Sequence, residues 1–141
     1  MSAGYSGTPL AKKLGLKPGL RAWWDGVPEK VAAEIGETGI TLLSSPEAPI
    51  DAAHIFVTSY ADMEAKLAAL RPLLAQNGFI WVSWPKRASK VPTDITEDRI
   101  RDAILPSTDL VDLKVCAVDA TWSGLKLVIR KTARNSAIAN D

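Results

Sequence analysis

A polar and basic run that directly follows an apolar stretch is the part of this chain best suited to chemistry. The apolar stretch covers residues 79–82, and the run after it contains Ser83, Trp84, Lys86, Arg87 and Lys90. A tryptophan ring offers a flat surface for stacking, and a lysine ammonium is a point charge for a phosphate or a carboxylate. The run could therefore bind an anion or a nucleotide. The alternative is a tryptophan packed beneath a solvated basic loop, since lysine and arginine are mostly surface residues.

Two other positions are candidates for ligand contacts. Asp25 and Gly26 follow a short predicted strand, where the carboxylate could bind a hydroxyl or an amine of a ligand. An acid that precedes a helix is equally well explained by its interaction with the helix dipole. Trp122, in a hairpin-like connection over 119–124, could cover a pocket, or it could simply cover a sheet edge. Turn chemistry explains Gly124 in that connection.

The N-terminal residues provide one more candidate for anion binding. Residues 5–8 precede a short predicted helix that carries Lys12 and Lys13. The start of a helix attracts anions, and nearby ammonium groups strengthen that attraction. Capping of the helix by Thr8 and solvation of the two lysines explain the same pattern without a ligand.

The sequence contains no recognisable catalytic constellation, so whether the protein is an enzyme stays open. It has no Walker loop, no metal-ligand spacing and no histidine next to a nucleophile motif. The single histidine, His54, is predicted to be a structural residue with a satisfied hydrogen bond. The single cysteine, Cys116, lies in an apolar run and is predicted to be a small buried hydrophobe.

Length and composition are those of one globular domain in a cytoplasmic protein. The chain has 141 residues and a formal net charge of +1, so bulk charge gives no reason to expect nucleic acid or a membrane as a partner. It lacks both the apolar run of about 20 residues that a membrane span needs and the pattern of a secretory signal. We expect a helical lead over 1–19 and a frayed tail over 132–141. The oligomeric state stays open, with a homo-oligomer among the options.

Predicted helices and strands alternate along the chain. Strands are predicted at residues 20–24, 40–43, 53–58, 79–84, 110–118 and 125–129. Helices are predicted at 9–14 and 28–35, from an N-cap at Ser59 to Gly78 with a kink or restart at Pro72, and from an N-cap at Thr96 to Pro106. This order predicts an α/β fold, a three-layer Rossmann-like sandwich. Its sheet of about six strands should be mostly parallel, with an antiparallel C-terminal hairpin.

The second half of the chain resembles the closing half of class I methyltransferases. The resemblance covers residues 61–130, from the Leu70-Arg71-Pro72 region to Lys126-Leu-Val-Ile-Arg130. In the first half, the lead Leu16-Lys-Pro-Gly-Leu-Arg21 is similar to the segment before that family's first strand. The resemblance implies a Rossmann-like fold and raises S-adenosylmethionine as a cofactor.

The cofactor loop departs from that family's pattern. The family carries Gly-x-Gly-x-Gly where this chain has Trp24-Asp-Gly-Val-Pro28, and Val27 and Pro28 do not give the backbone the freedom of glycine. The family's acid at the end of the second strand is replaced by Leu42-Leu-Ser-Ser45. The cofactor of this chain is therefore unknown from its sequence.

A second resemblance spans nearly the whole chain. It is to an uncharacterised family of small bacterial proteins, a domain of unknown function, and it is carried by Tyr5–Gly15, Trp84–Lys86, Thr93-Asp94, Lys114–Asp119 and Thr121–Lys126. This family implies no activity. The leading hypothesis is a Rossmann-like module that binds a small molecule or a partner. The alternatives are a divergent S-adenosylmethionine-dependent methyltransferase and a structural or oligomer-forming protein.

Overall fold

The order of helices and strands agrees with the order predicted from the sequence. The computed structural model describes residues 8–133. Its elements are α1 (Leu10–Lys13), β1 (Arg21–Asp25), α2 (Glu29–Ile35), β2 (Thr41–Leu42), β3 (Ile50–Phe56), α3 (Tyr60–Leu70), β4 (Leu74–Pro85), α4 (Glu97–Ile104), β5 (Leu110–Ala117) and β6 (Trp122–Ile129). Residues 5–7 of the predicted N-terminal site and 134–141 of the predicted tail lie outside the described residues.

Six strands form one mixed sheet in the order β2-β1-β3-β4-β6-β5. Adjacent strands are parallel from β2 through β1 and β3 to β4. Strand β6 is antiparallel to both of its neighbours, β4 and β5. The prediction of a mostly parallel sheet with an antiparallel C-terminal hairpin is confirmed. From β1 the chain moves outward to β2, and from β3 it moves the opposite way to β4. In open α/β sheets, ligands bind beyond the carboxyl ends of the strands at such a divergence.

Apolar side chains pack in separate clusters on the two faces of the sheet. The face covered by α3 and α4 contains Ile55, Ile80 and Val82, together with buried residues of both helices. The opposite face, covered by α1 and α2, contains Phe79 and Trp81. The indole N–H of Trp81 donates a hydrogen bond of 2.9 Å to the carbonyl of Leu14, which fastens the segment after α1 to the sheet. The two covered faces give the predicted three layers.

The helix boundaries follow from capping and from one proline. Ser59 and Thr96 are the N-caps of α3 and α4, and each hydroxyl accepts a hydrogen bond from a backbone N–H of the first turn, as predicted. Pro72 lies in a 3-10 turn, Arg71–Leu73, that follows the end of α3 at Leu70. The α-helical pattern therefore ends just before the proline, since the proline ring disfavours its continuation.

The predicted role of Gly78 as the end of a helix is wrong. Gly78 lies inside β4, which begins at Leu74. A Cβ atom at Gly78 would lie 2.8 Å from the carbonyl oxygen of Ile50, closer than side chains approach a backbone atom. The register of β3 against β4 also shifts at this place. Glycine is required here by the close approach of the neighbouring strand.

The predicted connection over 119–124 is also wrong in its extent. β6 begins at Trp122, so Trp122, Ser123 and Gly124 are strand residues. The Asp119 carboxylate accepts hydrogen bonds of 2.8 Å from the backbone N–H groups of Thr121 and Trp122, which makes a tighter turn. Turn chemistry does not explain Gly124, because a Cβ atom there would lie 3.1 Å from the Trp81 ring. Packing in the sheet explains this glycine.

Candidate functional site

Asp25 and Gly26 lie at the carboxyl ends of β1 and β3, where open α/β sheets bind ligands, and we call this place the crevice. Gly26 has φ of +77°, and a Cβ atom there would lie 3.3 Å from the carbonyl oxygen of Phe56. Glycine thus allows the chain to turn sharply beside the end of β3. Asp25 lies on the α3 side, and its carboxylate accepts a hydrogen bond of 2.7 Å from the Lys66 ammonium. Their side chains are 32% and 27% exposed, so solvent and ligands can reach both.

Lys66 was not predicted as a site residue, although its spacing carried a signal. It lies one helical turn after Asp62 on α3, and its ammonium is 3.8 Å from that carboxylate. The pairing with Asp25 depends on the packing of α3 against the sheet, which spacing does not reveal. Both explanations of Asp25, a ligand contact and the dipole of α2, stay predictions. The Asp25 carboxylate pairs with α3, and the N-cap of α2 is Pro28, which makes no side-chain hydrogen bond.

The pleat of β4 separates residues that the sequence placed in one cluster. Successive side chains of a strand point to opposite faces. Ser83 therefore lies on the α1–α2 face, and Trp84 lies in the core of the α3–α4 face, where it is buried. Lys86 is half-buried beyond the strand end. Its backbone N–H donates a hydrogen bond of 2.7 Å to the backbone carbonyl of Thr121.

A cleft of about 340 Å³ lies beneath the loop that follows β4. Of the predicted cluster it unites Trp84, Arg87 and Lys90, and the start of α4 closes it with Thr96 and Glu97. Little of Trp84 is open to this space, because the residue is 8% exposed. The cleft therefore has cationic walls but little open surface for stacking.

Ser83 and His54 form a buried polar pair in the middle of the sheet. The Nε2 atom of His54 and the Oγ atom of Ser83 are 2.7 Å apart, and their residues are 3% and 0% exposed. Burial lowers the pKa of His54 to about 3, so the imidazole is neutral at physiological pH. The prediction of a satisfied structural histidine is confirmed. A ligand has no direct access to either side chain.

Trp122 covers the carboxyl end of the sheet on the α1–α2 face. Its ring meets the Phe56 ring edge-on, with centroids 5.0 Å apart, and Phe56 in turn stacks on His54 at 4.4 Å. Trp122 is half-buried, so its ring leaves some apolar surface open next to the strand ends. Its contact with Phe56 covers a sheet end, and its predicted role over a pocket stays a prediction.

The amino-terminal end of the parallel strands holds a different group of charges. Arg71 donates two hydrogen bonds of 2.6 Å, from Nε and from an Nη atom, to the carboxylate of Asp109. The pair lines a cavity of about 450 Å³ between α3 and α4. The Arg71 guanidinium lowers the pKa of the Asp109 carboxyl. This bidentate pair fixes the start of β5 to the end of α3, away from the crevice.

Comparisons with solved structures identify the fold. Fibrillarin from Aeropyrum pernix, solved with natively bound S-adenosyl-L-methionine, has a TM-score of 0.55 at 13% identity, over 84% of this chain and 73% of that chain. A putative methyltransferase from Thermoplasma acidophilum gives 0.54 at 9%, over 82% and 70%. The magnesium protoporphyrin IX methyltransferase of Synechocystis, also with bound cofactor, gives 0.53 at 12%, over 86% and 74%. The chain has a methyltransferase-like Rossmann fold.

These likenesses show the fold alone, because identities near a tenth do not carry function from one protein to another. No protein-family model matches the sequence. No curated protein matches it either. The resemblance to an uncharacterised bacterial family stays a prediction. None of the described helices is both long and apolar enough to cross a membrane.

Proposed function

We propose that the protein binds S-adenosylmethionine or a related adenosine ligand in the crevice between β1 and β3, as a divergent methyltransferase. The accessible Asp25–Lys66 pair at the divergence of the two strands carries this proposal. Two proteins of similar fold were solved with bound S-adenosylmethionine, which supports the choice of ligand class. The fold locates the crevice, and its residues supply the chemistry.

The charges of the crevice complement the amino-acid end of S-adenosylmethionine. That end carries an ammonium and a carboxylate, and the crevice offers Asp25 for the first and Lys66 for the second. Charge-assisted hydrogen bonds of this kind are about twice as strong as neutral ones. The half-buried Trp122 ring and its partner Phe56 add apolar surface at the same end of the sheet. Such a ligand would open the ion pair and place itself between the two groups.

The loop after Gly26 makes this a divergent site. Pro28 has no backbone N–H, and α2 begins only at Glu29, so the loop offers a ligand few donors. In this proposal the Lys66 ammonium donates hydrogen bonds to the ligand in place of backbone N–H groups. Binding should then depend strongly on this one side chain.

A second candidate function is a binding module without methyl transfer. The buried Ser83–His54 pair favours it, because this is the one serine–histidine contact of the described residues and it cannot serve as an accessible base. The third hypothesis, a structural or oligomer-forming protein, would be favoured by several exposed tryptophans. Trp81 and Trp84 are buried, and Trp23, Trp24 and Trp122 are half-buried, so the tryptophans do not favour it.

Calorimetric titration with S-adenosylmethionine and S-adenosylhomocysteine tests the proposal. Asp25→Asn removes a charged hydrogen-bond partner, which is worth about 1.5–3 kcal/mol, and should weaken binding roughly 10- to 100-fold. The matched control is Asp62→Asn, because Asp62 also contacts Lys66 but lies on the outer surface of α3. That variant should bind normally. Absence of binding by either ligand, or equal loss in both variants, contradicts the proposal.

Methyl transfer separates the two candidate functions. The protein is incubated with labelled S-adenosylmethionine and with fractionated cell extract, and label is sought in protein, nucleic acid and small molecules. Transfer that is lost in Asp25→Asn supports the methyltransferase. Binding without transfer to any fraction supports the binding module.

A further inference from the structure

Several lysines form a local cluster on one side of the sheet. On the α3–α4 face, Lys66, Arg71 and Arg101 pair with carboxylates. On the α1–α2 side, lysines from separate elements lie near one another. They are Lys12 and Lys13 of α1, Lys114 of β5, Lys126 of β6 and Lys86 after β4. The net charge of +1 for the whole chain does not reveal this local cluster.

Two of these lysines are direct neighbours across the strands. Lys114 and Lys126 are register partners in the β5–β6 ladder, so their side chains leave the same face. Like charges opposite each other destabilise an antiparallel pair. Among the described residues neither has a carboxylate partner, and the Lys126 ammonium lies 4.3 Å from the centre of the Phe79 ring. Burial, together with the charges of Lys114 and Lys17, lowers the pKa of Lys126.

A cleft of about 340 Å³ opens between α1 and β5, and Lys114 of this pair contributes to its lining. Its described lining consists of Thr8, Lys12, Lys13, Lys114, Val115, Cys116 and Ala117, and none of these residues is acidic. The volume lies in the lower part of the range of small-ligand sites. Burial raises the pKa of the Cys116 thiol, and the charges of Lys13, Lys114 and Lys86 oppose that rise. Positive charge therefore reaches the floor of the cleft from several sides.

Protection of a sheet edge explains only part of this arrangement. β5 is an edge strand, and a lysine and an irregular register are devices that prevent such an edge from pairing with another chain. Lys114 could serve that purpose alone. Lys126 lies on an inner strand, and Lys12 belongs to a helix, so edge protection accounts for neither.

We propose that the cleft between α1 and β5 binds a small anion with two or more negative charges, in the class of phosphate monoesters and diphosphates. Lysine ammonium groups are compact point charges that suit such groups. A bound anion would relieve the repulsion between Lys114 and Lys126, so binding would also stabilise the fold. The lining of this cleft shares no residue with the Asp25–Lys66 pair, so the proposal does not rest on the crevice function.

Titration with inorganic pyrophosphate, at ionic strength matched with sodium chloride, tests this assignment. We expect saturable binding by calorimetry and a rise in the unfolding midpoint. Lys114→Gln and Lys12→Gln should each weaken binding, by up to about fivefold for contacts as exposed as these. Lys30→Gln, at an exposed position of α2, is the matched control and should bind as the wild type does.

Stability without pyrophosphate provides an independent readout. Lys114→Gln should unfold at the same or a higher denaturant concentration than the wild type, because it removes the repulsion from Lys126. Absence of saturable binding would overturn the assignment, as would equal affinities in all variants. Much tighter binding of a short single-stranded RNA than of pyrophosphate would also overturn it, in favour of an extended polyanion surface.

Discussion

Acid should destabilise this protein well before its carboxylates titrate, because of His54. The imidazole is 3% exposed and its partner is the neutral hydroxyl of Ser83. Burial lowers the pKa from the ordinary 6.5 to about 3. The folded protein therefore resists protonation of His54, whereas the unfolded chain accepts a proton near pH 6.5. Below that pH the proton favours the unfolded state.

The size of the effect follows from the two pKa values. Stability from a neutral His54 is fully present above pH 6.5, and it is lost at about 1.4 kcal/mol per pH unit as the pH falls toward 3. Between about pH 7.5 and about pH 5.5 the free energy of unfolding should fall by about 1.4 kcal/mol, a tenfold change in the folding equilibrium. His54 is the single histidine of the chain, so no other side chain has its ordinary pKa in this interval.

Urea unfolding followed by tryptophan fluorescence at the two pH values measures this loss. With a slope of about 1–3 kcal/mol per molar urea, the midpoint should fall by roughly 0.5–1.4 M. The control is His54→Gln, whose amide can replace the hydrogen bond to Ser83 but does not titrate. This variant should be less stable at neutral pH and should show no such loss. Its residual pH dependence is subtracted from that of the wild type.

Nuclear magnetic resonance provides a direct check on the same group. With one histidine, the imidazole C–H signal is unambiguous, and it should stay at the neutral position in folded protein down to about pH 5. A midpoint near pH 6.5 in the folded protein would refute the reasoning. Equal pH dependence of the wild type and of His54→Gln would refute it as well, since the burial of His54 would then have no energetic consequence.

Three further variants test the packing and capping of the fold by denaturant unfolding. Gly78→Ala should lower the free energy of unfolding by roughly 1–3 kcal/mol, because its Cβ would lie 2.8 Å from the Ile50 carbonyl oxygen. Unchanged stability would mean that β3 can shift away from the new methyl group without cost. Thr96→Ala should lose about 1 kcal/mol with the N-cap of α4, whereas Thr96→Ser should keep it. Arg71→Lys replaces the two-pronged contact with Asp109 and should lose no more than about 1 kcal/mol, since both groups are about one-third exposed.

The fold was largely predictable because its signals are local. Capping residues such as Ser59 and Thr96 start α3 and α4 where the sequence indicated, and the alternation of elements gave the mixed sheet. The errors concern two glycines. Gly78 and Gly124 looked like residues of a helix end and of a turn, yet both lie in strands where another group approaches closely. Such approaches involve residues distant in sequence, so local turn chemistry does not report them.

The candidate site was less predictable because it depends on faces and on tertiary contacts. Ser83 and Trp84 are neighbours in sequence, and the strand pleat places them in different cores. The partner of Asp25, Lys66, is 41 residues away and meets it only when α3 packs on the sheet. The alternation of faces along a strand would have predicted that Ser83 and Trp84 lie on opposite faces of β4. The contact between Asp25 and Lys66 could be predicted only from the packing of α3 on the sheet.

The crevice suggests how a Rossmann-like site can change its means of recognition. A glycine-rich loop presents backbone N–H groups, which are neutral donors fixed by the fold. In the loop after β1 this chain has one glycine with positive φ, Gly26, and Pro28 provides no N–H donor. The Lys66 ammonium, held by Asp25, supplies a full positive charge at that end of the sheet instead. A charge on a flexible side chain acts over a longer range than an N–H group, but salt screens it when it is about one-quarter exposed, as here. In our proposal, ligand binding therefore depends on ionic strength to a degree that a backbone loop would not require.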